Sequence, residues 1–442
     1  ALEVCTGLHS AGFEAYVVGG AVRDMLLARD PKDFDVATNA TPEQVVRVFR
    51  RARIIGRRFR IVHVMVGREL IEVTTFRAEK DDGDAKTDEH GRVLADNTYG
   101  TLASDAARRD LTVNAMYYNP ATAQVLDFHG GMADLSQRIL RMIGDPATRY
   151  REDPVRILRV ARFAARFADF SIAPETMLLM QSMVQNGEAD SLVAERVWQE
   201  IAKGLMEAKP SRMFEVLRET GALQILLPEL NALWSVPQRA EYHPEIDTGV
   251  HVMMVLDMAA RLNAPLVVRF ACLMHDLGKG TTRAEELPRH IAHEIRSVKL
   301  LQKVCDRWRI PSDCRETAEV VAREHGNIHR SAELNPASVL RLLERCDALR
   351  RPERFAHVLL ACECDARGRL GFEEVAYPQA KRLADALKAA LGVASEPIAQ
   401  QAQLDGLRGP AIGERISKAR IAAIAESINA INNTTKMLYS KP

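Results

Sequence analysis

Two carboxylates separated by one residue stand near the start of the chain, in the sequence Asp33-Phe34-Asp35. On an extended backbone, residues i and i+2 point to the same face, so both carboxylates would project away from Phe34. Adjacent carboxylates repel each other unless a cation or a proton lies between them, and hard oxygen ligands suit Mg²⁺. The pair therefore predicts a Mg²⁺ site, although an isolated pair of this kind is more often an ordinary surface feature.

A glycine pair precedes these acids by one short helix. Residues 17–24 have the pattern of a β-strand, a Gly19-Gly20 turn and a helix start, which lets backbone N–H groups approach a triphosphate closely. Most glycine pairs are only tight turns. Here the short spacing to the two acids favours a site for nucleotidyl transfer, in which a 3′-hydroxyl attacks a nucleotide and pyrophosphate departs.

A third polar segment, residues 108–115, reads Arg-Arg-Asp-Leu-Thr-Val-Asn-Ala. Its two guanidiniums suit phosphates, Asp110 is a further acid, and Asn114 could reach a ribose. The alternative interpretation of this segment is a solvated helix end. Glu72, on a predicted strand, is another candidate acid, and an ordinary place at the sheet rim explains it equally well.

A helix start with a basic stripe follows at Asp153 and Pro154. Without the preceding segments, Asp153 would be a simple cap and the arginines a solvated face. Cytosine and adenine each present an exocyclic amine beside a ring acceptor, whereas uracil and guanine present the reverse. Since a carboxylate accepts and a guanidinium donates, Asp153 and Arg156 could select C and A by roughly a hundredfold. The stripe itself consists of Arg156, Arg159 and Arg162.

A different chemistry is predicted in the C-terminal half. His251 lies on a predicted helix, and His275-Asp276 follows an apolar run. Adjacent His and Asp with distant histidines are ligands for a transition metal that promotes phosphoester hydrolysis. Any one histidine is more often a satisfied or a surface residue. Further histidines follow at positions 290, 293 and 325.

The elements that must position these residues change type along the chain. The 442 residues are 47% hydrophobic and 27% charged, which excludes a collagenous or wholly disordered protein and favours several domains. In the first 145 residues, helical patterns alternate with β-rich runs, which predicts a mixed α/β head. Strands are predicted at residues 15–18, 34–37, 60–66, 70–76 and 125–128.

Beyond residue 150 the strand signal nearly disappears and helical spacing dominates, for example over residues 154–167, 194–207, 210–220 and 250–262. The fold class is therefore α+β. Residues 80–97 are charged and without apolar periodicity, which predicts a mobile loop. Four domains are expected: a nucleotidyltransferase head (1–145), a helical neck (146–225), a helical body (226–375) and a helical tail (376–442).

The charge balance and the cysteines indicate how the protein would attract a polyanion and in which compartment it would act. The 60 basic and 59 acidic residues nearly cancel, so attraction to a polyanion must come from local arginine clusters. One such cluster lies within residues 47–60, although a solvated surface would explain it as well. The seven cysteines form no C-x-x-C pair, which indicates a reducing, cytoplasmic setting. No apolar run is long enough for a membrane span, and monomer and homodimer remain open.

The segments VGGAVRD, DFD, VTTFR, RRDLTVNA and REDPVRILRVARF, in this order, resemble the class II tRNA nucleotidyltransferase and bacterial poly(A) polymerase family. The resemblance implies a polymerase β-like head with Mg²⁺ on Asp33 and Asp35, and in the poly(A) polymerases a catalytic role for Asp110. It also implies base selection by Asp153 and Arg156. Nucleotide or phosphate contacts are implied for Gly20, Arg23, Arg109, Arg159 and Arg162.

Residues 163–366 resemble the HD-bearing tRNA nucleotidyltransferases, through segments such as ERVWQEI, YHPEIDTGVH, HDLGKG and CDARGR. This resemblance implies an HD domain with phosphatase and 2′,3′-cyclic phosphodiesterase activities, and Ni²⁺ or another divalent metal. Gly326-Asn327 stands where some relatives carry an acid, and Asp365 is a possible substitute ligand. The implied HD site consists of His251, His275, Asp276 and His325.

The motifs of the two halves resemble different members of the family. The head, with its Gly-Arg-Arg-Phe-Arg stretch at 56–60, is more similar to bacterial poly(A) polymerases. A natural or engineered hybrid would explain this difference. We expect addition of CCA to the 3′ end of tRNA from CTP and ATP. The alternatives are a poly(A) polymerase acting on other RNA 3′ ends, and an HD phosphohydrolase or RNA-binding protein whose head is inactive.

Overall fold

The computed structural model describes residues 1–56, 60–78, 86–87, 93–95, 99–144 and 154–439. These residues form two compact units. The first contains residues 1–192 with 219–222, and the second contains residues 193–218 with 223–442. In the described part of the chain, no helix combines the length and hydropathy needed to span a membrane.

A mixed seven-stranded sheet is the centre of the first unit, with strand order β3-β4-β5-β2-β1-β8-β9. Neighbouring strands are antiparallel except β2 and β5, which run parallel and place Asp35 beside Glu72. The strands are β1 (Ala15–Val18), β2 (Asp35–Thr38), β3 (Ala52–Ile55), β4 (Ile61–Val66), β5 (Glu69–Thr75), β8 (Met116–Asn119) and β9 (Gln124–Asp127).

Helices and two short strand pairs complete this unit. Local sequence fixes several helix starts: Thr41 and Gln44 form a capping box at the start of α3, and proline occupies the first turn of α3 and α7. The helices are α1 (Leu2–Ser10), α2 (Gly20–Leu26), α3 (Pro42–Val48), α4 (Leu102–Ala107), α5 (Gly131–Gln137), α6 (Val155–Arg166) and α7 (Pro174–Gln185). The pairs are β6 (Lys86–Thr87) with β7 (Val93–Ala95), and β10 (Ile139–Leu140) with β11 (Ser171–Ile172).

The apolar core between sheet and helices includes Val18, Ala37, Phe76, Ala106 and Tyr117. The alternation of buried and exposed residues along β4 and β5 shows the period of two that predicted these strands. This core holds β1 and β2 in place. The end of the sheet where β1 ends and β2 begins lies next to the two predicted acids.

The second unit is helical over its described residues. Its helices are α8 (Ala194–Leu205), α9 (Ser211–Glu219), α10 (Ala222–Leu226), α11 (Pro228–Asn231), α12 (Thr248–Arg261), α13 (Leu266–Met274), α14 (His293–Trp308), α15 (Ser312–His329), α16 (Pro336–Arg345), α17 (Pro352–Arg367), α18 (Pro378–Leu391), α19 (Ser395–Leu404) and α20 (Pro410–Tyr439). All seven cysteines of the chain are buried and unpaired.

The predicted α+β class is confirmed, and the five predicted strands are present within one or two residues. The sequence analysis missed β3, β8 and the short pair β10–β11. Asp33 is not part of a strand, since β2 begins at Asp35, so the expected continuous β-run through both acids is wrong. Part of the expected loop at 80–97 pairs as β6 and β7, and most of its remaining residues lie outside the described residues. The four domain boundaries stay a prediction.

Gly278 allows the segment after His275-Asp276 to pack against the start of α14. A Cβ at this position would lie 2.6 Å from the backbone nitrogen of Ser297, and closer still to the carbonyl oxygen of His293. Since both are backbone atoms of one helix, α14, neither can move independently. This glycine therefore sets the distance between the HD segment and the helix that carries His293.

We expect Gly278→Ala to destabilise the second unit by about 1 to 3 kcal/mol, the usual cost of overpacking. The matched control is Gly413→Ala on α20, where a Cβ would meet no atom within 4 Å. The control should be neutral or slightly stabilising, because alanine favours a helix interior. Thermal denaturation of both variants measures the difference, and equal melting temperatures would contradict this packing argument.

Candidate functional site

The turn between β1 and α2 carries the predicted glycine pair. Gly19 has a φ of 74°, a conformation that favours glycine, and Gly20 is the first residue of α2. A Cβ on Gly19 would lie 3.5 Å from Nη1 of Arg109, so this guanidinium lies directly against the turn. The structure thus brings together the glycine turn and one of the predicted phosphate-binding arginines.

Arg23 is buried beneath this turn with 2% of its surface exposed. Its guanidinium pairs with Asp24 at 2.7 Å and donates a further hydrogen bond to Oδ1 of Asn114. The rings of Phe163 and Phe167 cover the guanidinium, with centroids 5.5 and 4.9 Å from Cζ. Arg23 therefore fastens α2 to its surroundings, and the nucleotide contact implied for it stays a prediction.

The predicted metal-binding acids stand at the beginning of β2. Asp33 is exposed in the preceding turn, and Asp35 is half-buried beside Glu72 on the parallel strand β5. Burial raises the pKa of Asp35, and the charges of Glu72 and Asp33 raise it further, whereas Arg109 lowers it. Glu72 thus lies beside Asp35, and a role for it as a further acid of this site stays a prediction.

This group of acids suits a divalent cation. Carboxylate oxygens are the ligands that Mg²⁺ prefers, and a cation would relieve the repulsion that raises the pKa of Asp35. Among the described residues of the head, however, no three potential ligands have donor atoms within 4.8 Å of one another. Asp33 and Asp35 could hold a cation as a pair, with substrate phosphates and water completing the coordination.

Arg109 is held in position by two buried neighbours. Its Nε donates to the hydroxyl of Tyr117 at 2.8 Å, and its Nη2 contacts Oδ2 of Asp105 at 3.1 Å. Burial alone would lower the pKa of Arg109, but Tyr117 and Asp105 outweigh it and raise that pKa. The guanidinium is therefore a fixed positive charge beside Gly19 and Asp35.

Asp110 is engaged in an ion pair. Its Oδ2 accepts from Nε and Nη2 of Arg159 at 2.8 and 2.6 Å, and its Oδ1 accepts from Asn114 and from the backbone N–H of Leu111. Burial would raise the pKa of Asp110, but Arg159 and these hydrogen bonds outweigh it and lower the pKa. The geometry gives Asp110 a positioning role, and its implied catalytic role stays a prediction.

The basic stripe of α6 faces the head. Nη2 of Arg156 donates to the carbonyl of Arg108 at 3.3 Å, and Arg159 pairs with Asp110. Arg162 is buried against the ring of Phe163, at 4.6 Å from its centroid. The expected stripe is thus present but is largely turned inward, and Asp153 lies outside the described residues.

The predicted HD residues meet in the second unit. Nε2 of His251 lies 3.0 Å from Oδ1 of Asp365, which is also 3.7 Å from Nε2 of His275. These three side chains have donor atoms within 4.8 Å of one another, as ligands of one ion would. Asp365, named from the sequence only as a substitute ligand, is therefore central to the site.

His325 belongs to a second group, with Asp276 and His293. Oδ1 of Asp276 lies 3.4 Å from Nε2 of His293 and 3.7 Å from Nε2 of His325. Its other oxygen lies 3.2 Å from Nε2 of His275. The structure therefore divides the expected four-residue site between two adjacent groups.

Sequence reasoning assigned no role to several supporting residues of the HD site. Glu245 contacts Nδ1 of His251 at 2.9 Å and that of His243 at 3.1 Å. His329 contacts Oδ2 of Asp365 at 2.8 Å and stands one helical turn after His325, a spacing that could have indicated it.

Charge is unevenly distributed among the histidines of this site. Burial alone would lower the pKa of His275, but Asp276 and Asp365 outweigh it and raise that pKa to about 10. For His325, burial dominates and lowers the pKa to about 3, which keeps the ring neutral and able to bind a cation.

A cavity of about 470 Å³ opens onto the HD residues. Lys279, His293, His325, His329 and Asp365 contribute to its lining. Its wall combines aromatic and cationic side chains, a mixture that suits an anionic ring-bearing ligand of nucleotide size. The wall includes Tyr242, Arg367, Arg369, Phe372 and Tyr377.

Three known families match successive parts of the chain. The family described as poly A polymerase head domain matches residues 15–141. The family described as probable RNA and SrmB-binding site of polymerase A matches residues 169–233, and the HD domain family matches residues 248–351.

Similar curated proteins extend over nearly the whole chain. A multifunctional CCA protein of Paracidovorax citrulli is 60% identical over 417 residues, covering 93% of this chain and 97% of its own length. That of Cupriavidus necator is 54% identical over 422 residues, covering 94% and 99%. Each of these relatives covers both halves of the chain. The difference between the motifs of the two halves therefore does not assign them to different families.

Solved structures share the fold. The CCA-adding enzyme of Bacillus stearothermophilus, in complex with CTP, superposes with a TM-score of 0.67 at 23% identity, covering 99% of this chain and 98% of its own. That of Thermotoga maritima, complexed with tRNA, gives 0.60 at 18% identity, covering 97% and 94%. At these identities the likeness concerns the fold alone.

The Asp110–Arg159 pair predicts a pH dependence of stability. Because the folded pKa of Asp110 lies below its unfolded value, the stabilisation is complete above about pH 4 and is lost as pH falls through the folded pKa. Asp110→Asn should therefore cost about 2 kcal/mol at pH 7 and less below pH 4. Urea unfolding at several pH values measures both, and a difference that widens on acidification would contradict this assignment.

Proposed function

Because the chain belongs to the multifunctional CCA protein family, we propose that its first unit adds CCA to the 3′ end of tRNA, using CTP and ATP. The observation that carries the proposal is the half-buried carboxylate of Asp35, flanked by Asp33 and Glu72 and facing the fixed charge of Arg109. This arrangement combines a cation site with a phosphate site at one end of the sheet's strands, as nucleotidyl transfer requires.

In the proposed reaction, the 3′-oxygen of the RNA attacks the α-phosphorus of the nucleotide. The bond between the α-phosphorus and its bridging oxygen breaks, pyrophosphate leaves, and the proton of the 3′-hydroxyl passes to solvent. Asp33 and Asp35 would hold Mg²⁺, which when bound supplies charge neutralisation at the phosphates and acidifies the 3′-hydroxyl. Arg109 and the Gly19-Gly20 turn would bind the triphosphate.

The neck would choose the base. Arg156 lies on α6, which begins at Val155, two residues after Asp153 in the sequence. Its contact with the carbonyl of Arg108 supports a position near the segment that we propose to bind the nucleotide. A donor at Arg156 and an acceptor at Asp153 would match C and A and leave U and G unpaired. Arg159 and Arg162 would support this helix or meet phosphates.

We assign the second unit a separate hydrolytic activity on phosphoesters such as 2′,3′-cyclic phosphates. Its histidines and carboxylates suit Ni²⁺ or another divalent transition metal, because imidazole nitrogen is a preferred ligand of such ions. The cavity with Arg369 and Phe372 would receive the terminal nucleotide. We further propose that the protein acts in the cytoplasm, as a monomer or homodimer, and that its head, neck, body and tail follow the boundaries predicted from the sequence.

Asp35→Ala should abolish incorporation of labelled CTP into tRNA that lacks its terminus, while tRNA binding persists. The physical reason is that one side of the proposed cation site is removed without changing the RNA-binding arginines. The matched control is Asp30→Ala, an exposed acid of the preceding segment, which should retain activity. A gel-based extension assay together with a filter-binding assay gives both readouts.

The reciprocal variant separates the two activities. His275→Ala should lose hydrolysis of a 2′,3′-cyclic nucleotide and retain CTP incorporation. The opposite pattern, in which His275→Ala removes all activity and Asp35→Ala removes none, would mean that the head is inactive and the protein is an HD phosphohydrolase.

Arg156→Ala should reduce the preference for CTP over UTP by roughly a hundredfold in kcat/KM, since the variant loses a donor to the base. Single-turnover incorporation of each nucleotide measures this ratio, and Arg53→Ala on the exposed edge of β3 is the control. An unchanged ratio would remove Arg156 from base selection. Long adenylate tails on generic RNA, with CTP ignored, would instead favour the poly(A) polymerase alternative.

A further inference from the structure

Five exposed arginines surround β3, an edge strand of the seven-stranded sheet. They come from α3, from the turn between α3 and β3, from β3 itself, and from the turn between β4 and β5. Nη1 of Arg51 lies 3.4 Å from the carbonyl oxygen of Gly67, which brings the two turns together. We call this group the β3 arginine surface, and its members are Arg47, Arg50, Arg51, Arg53 and Arg68.

Within the described residues, none of these five arginines forms an ion pair. Glu43, an acid of α3, pairs with Arg60 instead. Many other arginines of the first unit do have a carboxylate partner. They include Arg23, Arg109, Arg138, Arg141, Arg159 and Arg166. The β3 arginine surface is therefore a local excess of positive charge on a chain whose formal net charge is only +1, and such an excess attracts a polyanion.

This surface adjoins the face of the sheet that carries the proposed cation site. Residues directly opposite each other on neighbouring strands share a face. Arg53 is opposite His63, which is opposite Glu72. Glu72 is in turn opposite Asp35, and its Oε1 lies 3.4 Å from Nε2 of His63. The row crosses three strand spacings, so Arg53 lies about 15 Å from Asp35.

The face that carries this row is open, whereas the opposite face of the same strands is packed. Val62, Val64 and Val73 of the packed face are at most 1% exposed. On the open face, Ile55 and Leu70 are 40% and 48% exposed. An open sheet face with arginine and apolar side chains suits an RNA strand, because guanidiniums meet its phosphates while apolar groups contact its sugars and bases.

We propose that the β3 arginine surface binds the phosphate backbone of the RNA substrate upstream of its 3′ end, an inference that rests on the nucleotidyl transfer proposed above. The 3′-hydroxyl lies at the cation site, and the strand that precedes it runs along the row towards β3. At about 3.4 Å for each stacked nucleotide, the distance of about 15 Å corresponds to roughly four nucleotides. Contacts to phosphates fix the position of the strand without reading its sequence.

The proposed contacts act on RNA binding and not on the choice of nucleotide. They involve phosphates of the RNA, whereas base selection concerns the incoming nucleotide. Loss of a surface arginine therefore weakens the binding of tRNA and leaves the preference for CTP over UTP unchanged. For this reason Arg53→Ala remains a suitable control for base selection by Arg156.

The test compares the full chain with the double variant Arg51→Gln and Arg53→Gln, using tRNA that lacks its terminus. Fluorescence anisotropy at several KCl concentrations gives the slope of log K against log salt, to which each phosphate contact contributes about 0.7 to 0.9. Loss of two contacts should make this slope shallower by about 1.5. The KM for tRNA should rise roughly tenfold, while kcat and the KM for CTP stay unchanged.

The matched control is the double variant Arg138→Gln and Arg350→Gln. It removes the same charge from two exposed arginines, which pair with Asp169 and Asp347. Its salt slope and its KM for tRNA should equal those of the parent chain.

A second surface variant, Arg47→Gln with Arg50→Gln, leaves β3 unchanged and should weaken tRNA binding in the same way. It keeps the proposal testable where substitution on the edge strand disturbs folding, which circular dichroism would reveal.

Unchanged salt slopes and KM values in both surface variants would overturn the RNA-binding proposal and leave the proposed transfer reaction intact. Self-association of the variants in light scattering, with unchanged affinity for tRNA, would also overturn it and would assign the arginines to protection of the edge strand. If the parent chain does not incorporate CTP, the proposed transfer function fails, and the anisotropy measurements alone decide whether this surface binds RNA.

Discussion

The head depends on buried charges that are neutralised by charges from another element. Asp110 and Asn114 follow α4, Arg23 belongs to α2, and Arg159 belongs to α6, yet their side chains form one connected set. Removing any one member would leave a buried charge or polar group unpaired, which costs more than the original contact contributed. The glycine turn and the neck helix therefore hold each other in register. A second tie joins Arg166 of α6 to Asp24 of α2 at 2.8 Å.

The charge balance at the HD site differs from that in the head. In the head, guanidiniums complete the partners of most buried acids, whereas at Asp276 the positive charges of Lys279 and His275 both face Oδ2 and leave Oδ1 without a hydrogen-bond partner among the described residues. A bound cation would give this buried oxygen a partner. The same rule of charge balance that holds the head together therefore favours a cation at the HD site.

The sequence predicted the fold class and five strands of the seven-stranded sheet, because period-two burial and the glycine turn are local signals. It could not place Glu72 beside Asp35, since that register depends on a parallel pairing between distant strands. Nor could it divide the histidines into two groups, because His293 begins α14, His325 lies near the end of α15, and the two side chains meet only through helix packing. The sequence also could not show that the arginines on α6 point inward. Arginines at intervals of three have the same spacing whether they face solvent or buried acids.

The two proposed sites would sort their cations by ligand chemistry. Asp33, Asp35 and Glu72 offer only oxygen atoms at a half-exposed end of the sheet's strands. Such ligands favour a hard ion that also coordinates several waters and nucleotide phosphates. His251, His275, His293 and His325 offer nitrogen atoms in a buried pocket, which favours transition metals. With these two proposed sites, one chain would form a phosphodiester bond in one unit and hydrolyse one in the other without either cation replacing the other. That separation would follow from donor type and burial alone, and it requires no coupling between the two units.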